Sequence, residues 1–186
     1  PDGSGKSTLI ELMHENLGVF FRRSKFYHFR PMFFEPPSDS KTVTEPHGKP
    51  AYGMARSVAK LLYYFLDHWA AYILKLISLK VRSTLIIFDR DFDDILIDSR
   101  RYRLSSSSIP LARVLRKMLP KSEVTFVLDI DPVKCHARKP ELPVSELERQ
   151  RRELRALAAS DCRYHLVDSN RPAKEVATSV CGRVVG

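Results

Sequence analysis

The chain has 186 residues, 44% hydrophobic and 28% charged, which suits one folded domain with a sizeable core. Its three cysteines, Cys135, Cys162 and Cys181, are odd in number and lack metal-ligand spacing, so they favour reduced thiols and a cytoplasmic setting over a disulfide framework or a zinc site. A net charge of +9 calls for polyanionic partners, and without a basic segment interleaved with aromatics it favours phosphate-rich small molecules over nucleic acid.

The chain opens with PDGSGKSTL, most of a phosphate-binding loop. Only a glycine ahead of Pro1 is wanting from the pattern G-x-x-x-x-G-K-[ST]. An apolar strand is therefore expected upstream, the chain being an N-terminally truncated form of a longer product. Gly3 and Gly5 let successive backbone N–H groups, that of Ser4 among them, turn toward one anion. A helix predicted from about Lys6 to Leu17, with Leu9, Ile10, Met13 and Leu17 as its apolar stripe, directs its positive end to the same place. Lys6 would reach the outer phosphates of ATP, the Ser7 hydroxyl would ligate Mg²⁺, and Thr8 completes the nucleotide-binding segment.

KFYHF (Lys25–Phe29) predicts a short strand stopped by Arg30-Pro31, and residues 31–53 a long loop rich in Pro, Ser and Gly. A long helix is expected from Met54, with Val58, Leu61, Phe65, Trp69, Tyr72 and Leu76 spaced by threes and fours. Lys60, Asp67, His68 and Lys75 interrupt it, which suits a core helix or subunit interface and not a membrane span. TLIIFD (Thr84–Asp89) and EVTFVLDID (Glu123–Asp131) predict strands buried on both faces of a parallel sheet. Asp131-Pro132 should cap and open a helix. Ser145 and Glu148 should form a capping box for another, ending about Ala159. RYHLVD (Arg163–Asp168) is the last predicted strand, and Pro172 opens a final helix with Val176, Val180 and Val184 inward. The alternation predicts an α/β, three-layer P-loop NTPase fold with a parallel sheet, as one domain over residues 1–186. In such a sheet the strand feeding the loop is central, and it is the strand missing from this chain.

Leu85-Ile86-Ile87-Phe88-Asp89 fits the Walker B arrangement, in which a strand carries its terminal carboxylate toward Mg²⁺. Asp89 would hold the metal through water or activate the acceptor, and Arg90 would add a cation beside the phosphates. Ala137–Arg155 contains Arg138, Lys139, Arg149, Arg151, Arg152 and Arg155 around a proline-containing turn. This suggests a lid over about 138–152, with Arg138 and Arg149 its favoured catalytic cations. A solvated basic helix face is the competing account of Arg151 and Arg155.

Taken together, PDGSGKSTL, FDR, LDIDPVKCHARK and LVDSNRPAKEV resemble the thymidylate kinase family of nucleoside monophosphate kinases over nearly the whole chain. By that resemblance Asp2 would face the acceptor's sugar hydroxyl, and Arg30 and Arg90 would lie by its phosphate. Arg138 would stack near adenine, the Asn170 neighbourhood would border the base, and helix 54–79 would form a homodimer. The family's Arg-Glu-Pro-Gly-Gly segment is replaced here by Arg30-Pro31-Met32, and Asp67-His68 stands where an Asp-Arg pair would. After FDR the chain continues DFDDILIDSRRYR, with Asp94, Asp98 and Ser99 instead of the family's thymine-contacting run. The reaction implied is ATP- and Mg²⁺-dependent phosphoryl transfer to a nucleoside monophosphate, dTMP first. A same-fold kinase of a nucleoside or a sugar-containing intermediate, or a non-catalytic nucleotide-binding protein, are the alternatives.

Overall fold

The computed structural model describes residues 3–27 and 50–185; Asp2 and Arg30 lie outside them. In chain order the elements are α1 (Lys6–Leu17), β1 (Arg23–Tyr27), α2 (Met54–Ala71), a π-helical turn (Tyr72–Leu76), α3 (Ile77–Val81), β2 (Thr84–Phe88) and α4 (Asp93–Ile97). After a 3-10 turn (Ser106–Ser108) come α5 (Ile109–Met118), β3 (Thr125–Asp129), α6 (Pro132–Arg138), α7 (Val144–Ser160), β4 (Tyr164–Asp168) and α8 (Ala173–Val185). They make two compact units, one of Pro1–Ser24 with Ser122–Gly186 and one of Lys25–Lys121.

In the first unit β3 and β4 pair in parallel, from Thr125 opposite Tyr164 to Asp129 opposite Asp168, so two carboxylates finish the pair side by side. Helix α7 packs on both strands and α8 on β4. The stripe on α1 buries Leu9, Met13 and Leu17, and α1 lies against α8, which buries Val176, Ala177 and Val180. Val184 is only half-buried. Asp131 caps α6 as expected, its carboxylate accepting from the N–H groups of Val133 (2.9 Å) and Lys134 (3.2 Å) with Pro132 at the helix start. Ile130, Cys135, Leu142 and Leu147 form a small core beneath the turn between α6 and α7.

In the second unit, which holds β1 from Lys25 onward, β1 pairs with β2, and the rings of Tyr27 and Phe88 stack with centroids 5.4 Å apart. Its core is Leu61 of α2 with Phe92, Ile95, Leu104, Ala112, Leu115 and Leu119, and Phe65 and Trp69 pack against it.

The α/β class is as expected, and no described helix is long and apolar enough to cross a membrane. Four details differ from expectation. The described strands form two separate pairs, and they are less buried than an uninterrupted apolar run suggests: Leu166 is 47% exposed. Strand β1 begins at Arg23, and the apolar look of its segment misleads because Phe26 points largely to solvent. Helix α7 has no capping box. It starts at Val144, with the Pro143 carbonyl accepting from Glu146 (3.0 Å) and Leu147 (3.1 Å), so Ser145 already lies inside the first turn. The long helix reaches Val81, but only through the π-turn at Tyr72–Leu76, a one-residue widening that an apolar repeat does not mark.

Candidate functional site

Gly3 and Gly5 adopt φ +87° and +91°, the left-handed region that costs a side-chain-bearing residue about 1–2 kcal/mol. A Cβ at Gly3 would lie 3.1 Å from the Cys135 carbonyl oxygen and 3.2 Å from the Lys139 Cβ, so the end of α6 presses on the loop. Between the two glycines Ser4 is buried, and its carbonyl accepts a 2.6 Å hydrogen bond from the Ser169 hydroxyl. The Ser169 N–H donates in turn to the Asp129 carbonyl (3.0 Å). The loop thus hangs from the ends of β3 and β4.

Gly5 begins α1 without a side-chain cap, and the first turn carries no acid. Ser7 and Thr8 are exposed there and Lys6 is half-buried. The Ser4 hydroxyl oxygen is buried and makes no hydrogen bond among the described residues. Open N–H groups, the positive helix end, an unused hydroxyl and the absence of acid suit a phosphate chain. The residues present therefore fit ATP, with Ser7 available to its Mg²⁺.

The basic residues of α6 and α7 are ordered by charge. Arg138 ends α6 exposed. Arg149 is bound within its own helix, to Glu146 (2.6 Å) and Glu153 (2.7 Å), and Glu146 above all raises its already high pKa. Arg151 and Arg155 turn to the end of β3: Arg151 Nη2 donates to Asp129 Oδ2 at 3.0 Å and Arg155 Nε to Oδ1 at 3.2 Å. The Arg151 hydrogen bond chiefly, then that of Arg155, holds the Asp129 carboxyl down to about 2 against the effect of burial. The Asn170 carboxamide bridges the strand ends, accepting from the Asp131 N–H (3.4 Å) and donating to Asp168 (2.8 Å). Asp168 titrates below the usual range mainly through hydrogen bonds from Asn170.

In the second unit Asp89 follows β2, half-buried, its N–H donating to the Tyr27 carbonyl (3.0 Å), and Arg90 beside it is half-buried. Asp93 forms a bidentate pair with Arg116, Nη2 to Oδ2 at 3.0 Å. Burial, aided by Asp93 and Asp94, pushes Asp91 up to about 6 despite the hydrogen bond its carboxylate accepts from the Phe92 N–H. The Asp98 carboxylate accepts from the Arg101 N–H (3.2 Å). Asp67 is buried, and burial lowers the His68 pKa more than neighbouring Asp67 raises it.

Gly3, Ser4, Gly5, Lys6, Ser7 and Thr8 are therefore gathered with the α6 end and the Asn170 turn in one unit, and Asp89 and Arg90 stand together in the other. Ser169 and Asp129 are functional supports that the motifs do not single out. Ser169 is flagged only as a small hydroxyl following a strand, and Asp129 is overshadowed in LDID by the capping Asp131.

No family model matches the chain, and no curated protein matches it in sequence. The fold is a thymidylate kinase-like P-loop kinase fold. Thymidylate kinase from Ehrlichia chaffeensis matches with a TM-score of 0.64 over 100% of this chain and 95% of its own, at 17% identity. Deoxyadenosine kinase from M. mycoides, solved with bound dATP, matches at 0.59 over 100% and 96%, at 13% identity.

Proposed function

We propose that the chain catalyses ATP- and Mg²⁺-dependent phosphoryl transfer to a nucleoside monophosphate, dTMP first among the acceptors. The observation that carries this is the loop itself: two left-handed glycines, an acid-free helix start, and a Ser169 hydroxyl fixing the peptide between them. When bound, Mg²⁺ would supply charge neutralisation to the phosphates. The N–H groups of Gly3–Thr8 and the Lys6 ammonium would bind and orient the phosphates, with Ser7 available to the metal; Asp89 is assigned to the metal and Arg90 to the acceptor phosphate on the sequence motifs and the resemblance. Asp2 and Arg30 are assigned to the acceptor, Arg138 and Asn170 to the adenosine end, and Arg149 to a lid, on the resemblance. Such an enzyme works by positioning and charge, without a covalent intermediate. On this reading the chain would act in the cytoplasm as a homodimer.

A nucleoside as acceptor is the second reading. It is favoured by the deoxyadenosine kinase likeness and by DFDDILIDSRRYR standing where thymine contacts would be. A coupled ADP-release assay with dTMP, dUMP, CMP, thymidine and deoxyadenosine separates the two. Turnover of one of these, lowered at least about 100-fold by Lys6→Ala, is expected. No turnover with any of them, and no heat on titrating ATP and Mg²⁺, would refute both.

A further inference from the structure

The basic run Arg100–Arg103 has no part in the loop, and in the second unit it meets the start of α2. Around the single ring of Tyr52 stand three cations: the Arg103 guanidinium 4.0 Å from the ring centre, that of Arg56 at 4.7 Å, and the Lys60 ammonium at 5.3 Å. The arrangement is built, not incidental. Arg103 Nη1 donates to the Tyr52 hydroxyl and Nε to the Pro50 carbonyl, both at 3.0 Å, and Lys60 donates to the Tyr102 carbonyl at 2.8 Å. The Tyr52 N–H donates to the Arg103 carbonyl (2.8 Å) and the Ser105 N–H to the Ser57 hydroxyl (3.0 Å), fixing one stretch against the other.

Holding Arg103 there requires φ +58°, a left-handed conformation unfavourable to any residue with a Cβ, and such strain persists where the surroundings over-determine it. No carboxylate pairs with Arg56 or Arg103 among the described residues. The adjoining end of α2 adds further positive potential, since Gly53 caps it without a side-chain bond and its first turn has no acid. The two guanidiniums on one ring repel, and the ring's negative face offsets only part of that. A dianion would relieve the remainder, and the guanidinium forks match phosphate oxygens.

We propose that Tyr52, Arg56, Lys60 and Arg103 form a second anion site, which takes a phosphate group carried by a small molecule. It does not depend on nucleotide binding at Gly3–Thr8. Calorimetric titration of the full chain with inorganic pyrophosphate at fixed ionic strength tests it. Wild type should take up pyrophosphate at two sites, and Lys6→Ala should remove one. In the Lys6→Ala background, Arg56→Gln should weaken the remaining site at least about tenfold, with partial recovery in Arg56→Lys. Arg56 is chosen because its side chain makes no hydrogen bond among the described residues, whereas Arg103 holds Pro50 and Tyr52. Lys60→Gln is the parallel variant and should weaken the site as well. Loss of all uptake in Lys6→Ala, or residual uptake indifferent to both Arg56→Gln and Lys60→Gln, overturns the site. Uptake of a single-stranded oligonucleotide in place of pyrophosphate, sensitive to Arg56→Gln, overturns the small-molecule assignment.

Discussion

The 2.6 Å hydrogen bond from Ser169 to the Ser4 carbonyl joins opposite ends of the chain, and no local pattern could announce it. Asp131-Pro132, by contrast, is legible in the sequence because a cap satisfies donors two and three residues away. Ser169→Ala leaves a buried carbonyl without its donor, a cost of about 1–3 kcal/mol. A lower melting temperature and an ATP dissociation constant raised roughly threefold to tenfold are expected. If melting and calorimetry both match wild type, Ser169 does not hold the loop. Gly3→Ala is the companion test. It combines φ +87° with a new methyl 3.1 Å from the Cys135 carbonyl, so a destabilisation of about 1–3 kcal/mol is expected. Urea denaturation of the variant should show it, and a wild-type midpoint would mean that the α6 end gives way.

At the level of elements, α7 is attached to the sheet by Asp129, which receives Arg151 and Arg155 across the end of β3. The folded Asp129 carboxyl titrates at about 2, below its ordinary 3.8. Its contribution is therefore fully present above about pH 4 and is lost as pH falls through about 2. Discounted for partial solvation, it amounts to roughly 1–2 kcal/mol. Asp129→Asn should lose about that much stability at pH 7, and its urea midpoint should fall less than wild type's between pH 4 and pH 2. Equal acid slopes would remove the attachment. The sequence makes the two ends of the molecule readable: α1 matches its expected bounds because a glycine loop starts it and an apolar stripe runs through it. Helix α5 is not evident, although Ala112 and Leu115 are buried at helical spacing, because Arg113, Arg116 and Lys117 dominate the stretch as charge. The start of α7 is misplaced for a related reason, since a Ser-x-x-Glu pattern says nothing about where Pro143 has already begun the turn.

Across the whole molecule, alternating strands and helices fix the α/β class, while the pairing of strands depends on distant partners and does not show in local composition. The apolar repeat of the long helix is ambiguous in the same way, since it gives a stripe but not what the stripe faces. Leu61, Ala71 and Leu76 are buried in this molecule, yet Leu62, Leu66, Ile73, Leu74 and Ile77 are 42%, 64%, 56%, 62% and 43% exposed. An apolar line of this length, running along α2, the π-turn and α3 on a chain whose net charge is +9, is the kind of surface that marks an interface. A second copy is the partner we expect, because a two-fold pairing sets the same apolar line against itself and needs no complementary charge. Leu66 and Ile73 are the variants to make, both exposed enough that a polar replacement should leave the monomer folded. Leu66→Glu combined with Ile73→Glu would place carboxylates in the apolar contact, raising the dimer dissociation constant by at least about 100-fold. Sedimentation equilibrium should then show wild type as a dimer at micromolar concentration and the double variant as a monomer with an unchanged circular dichroism spectrum. A wild-type chain that stays monomeric at every concentration would leave the exposed line without this partner.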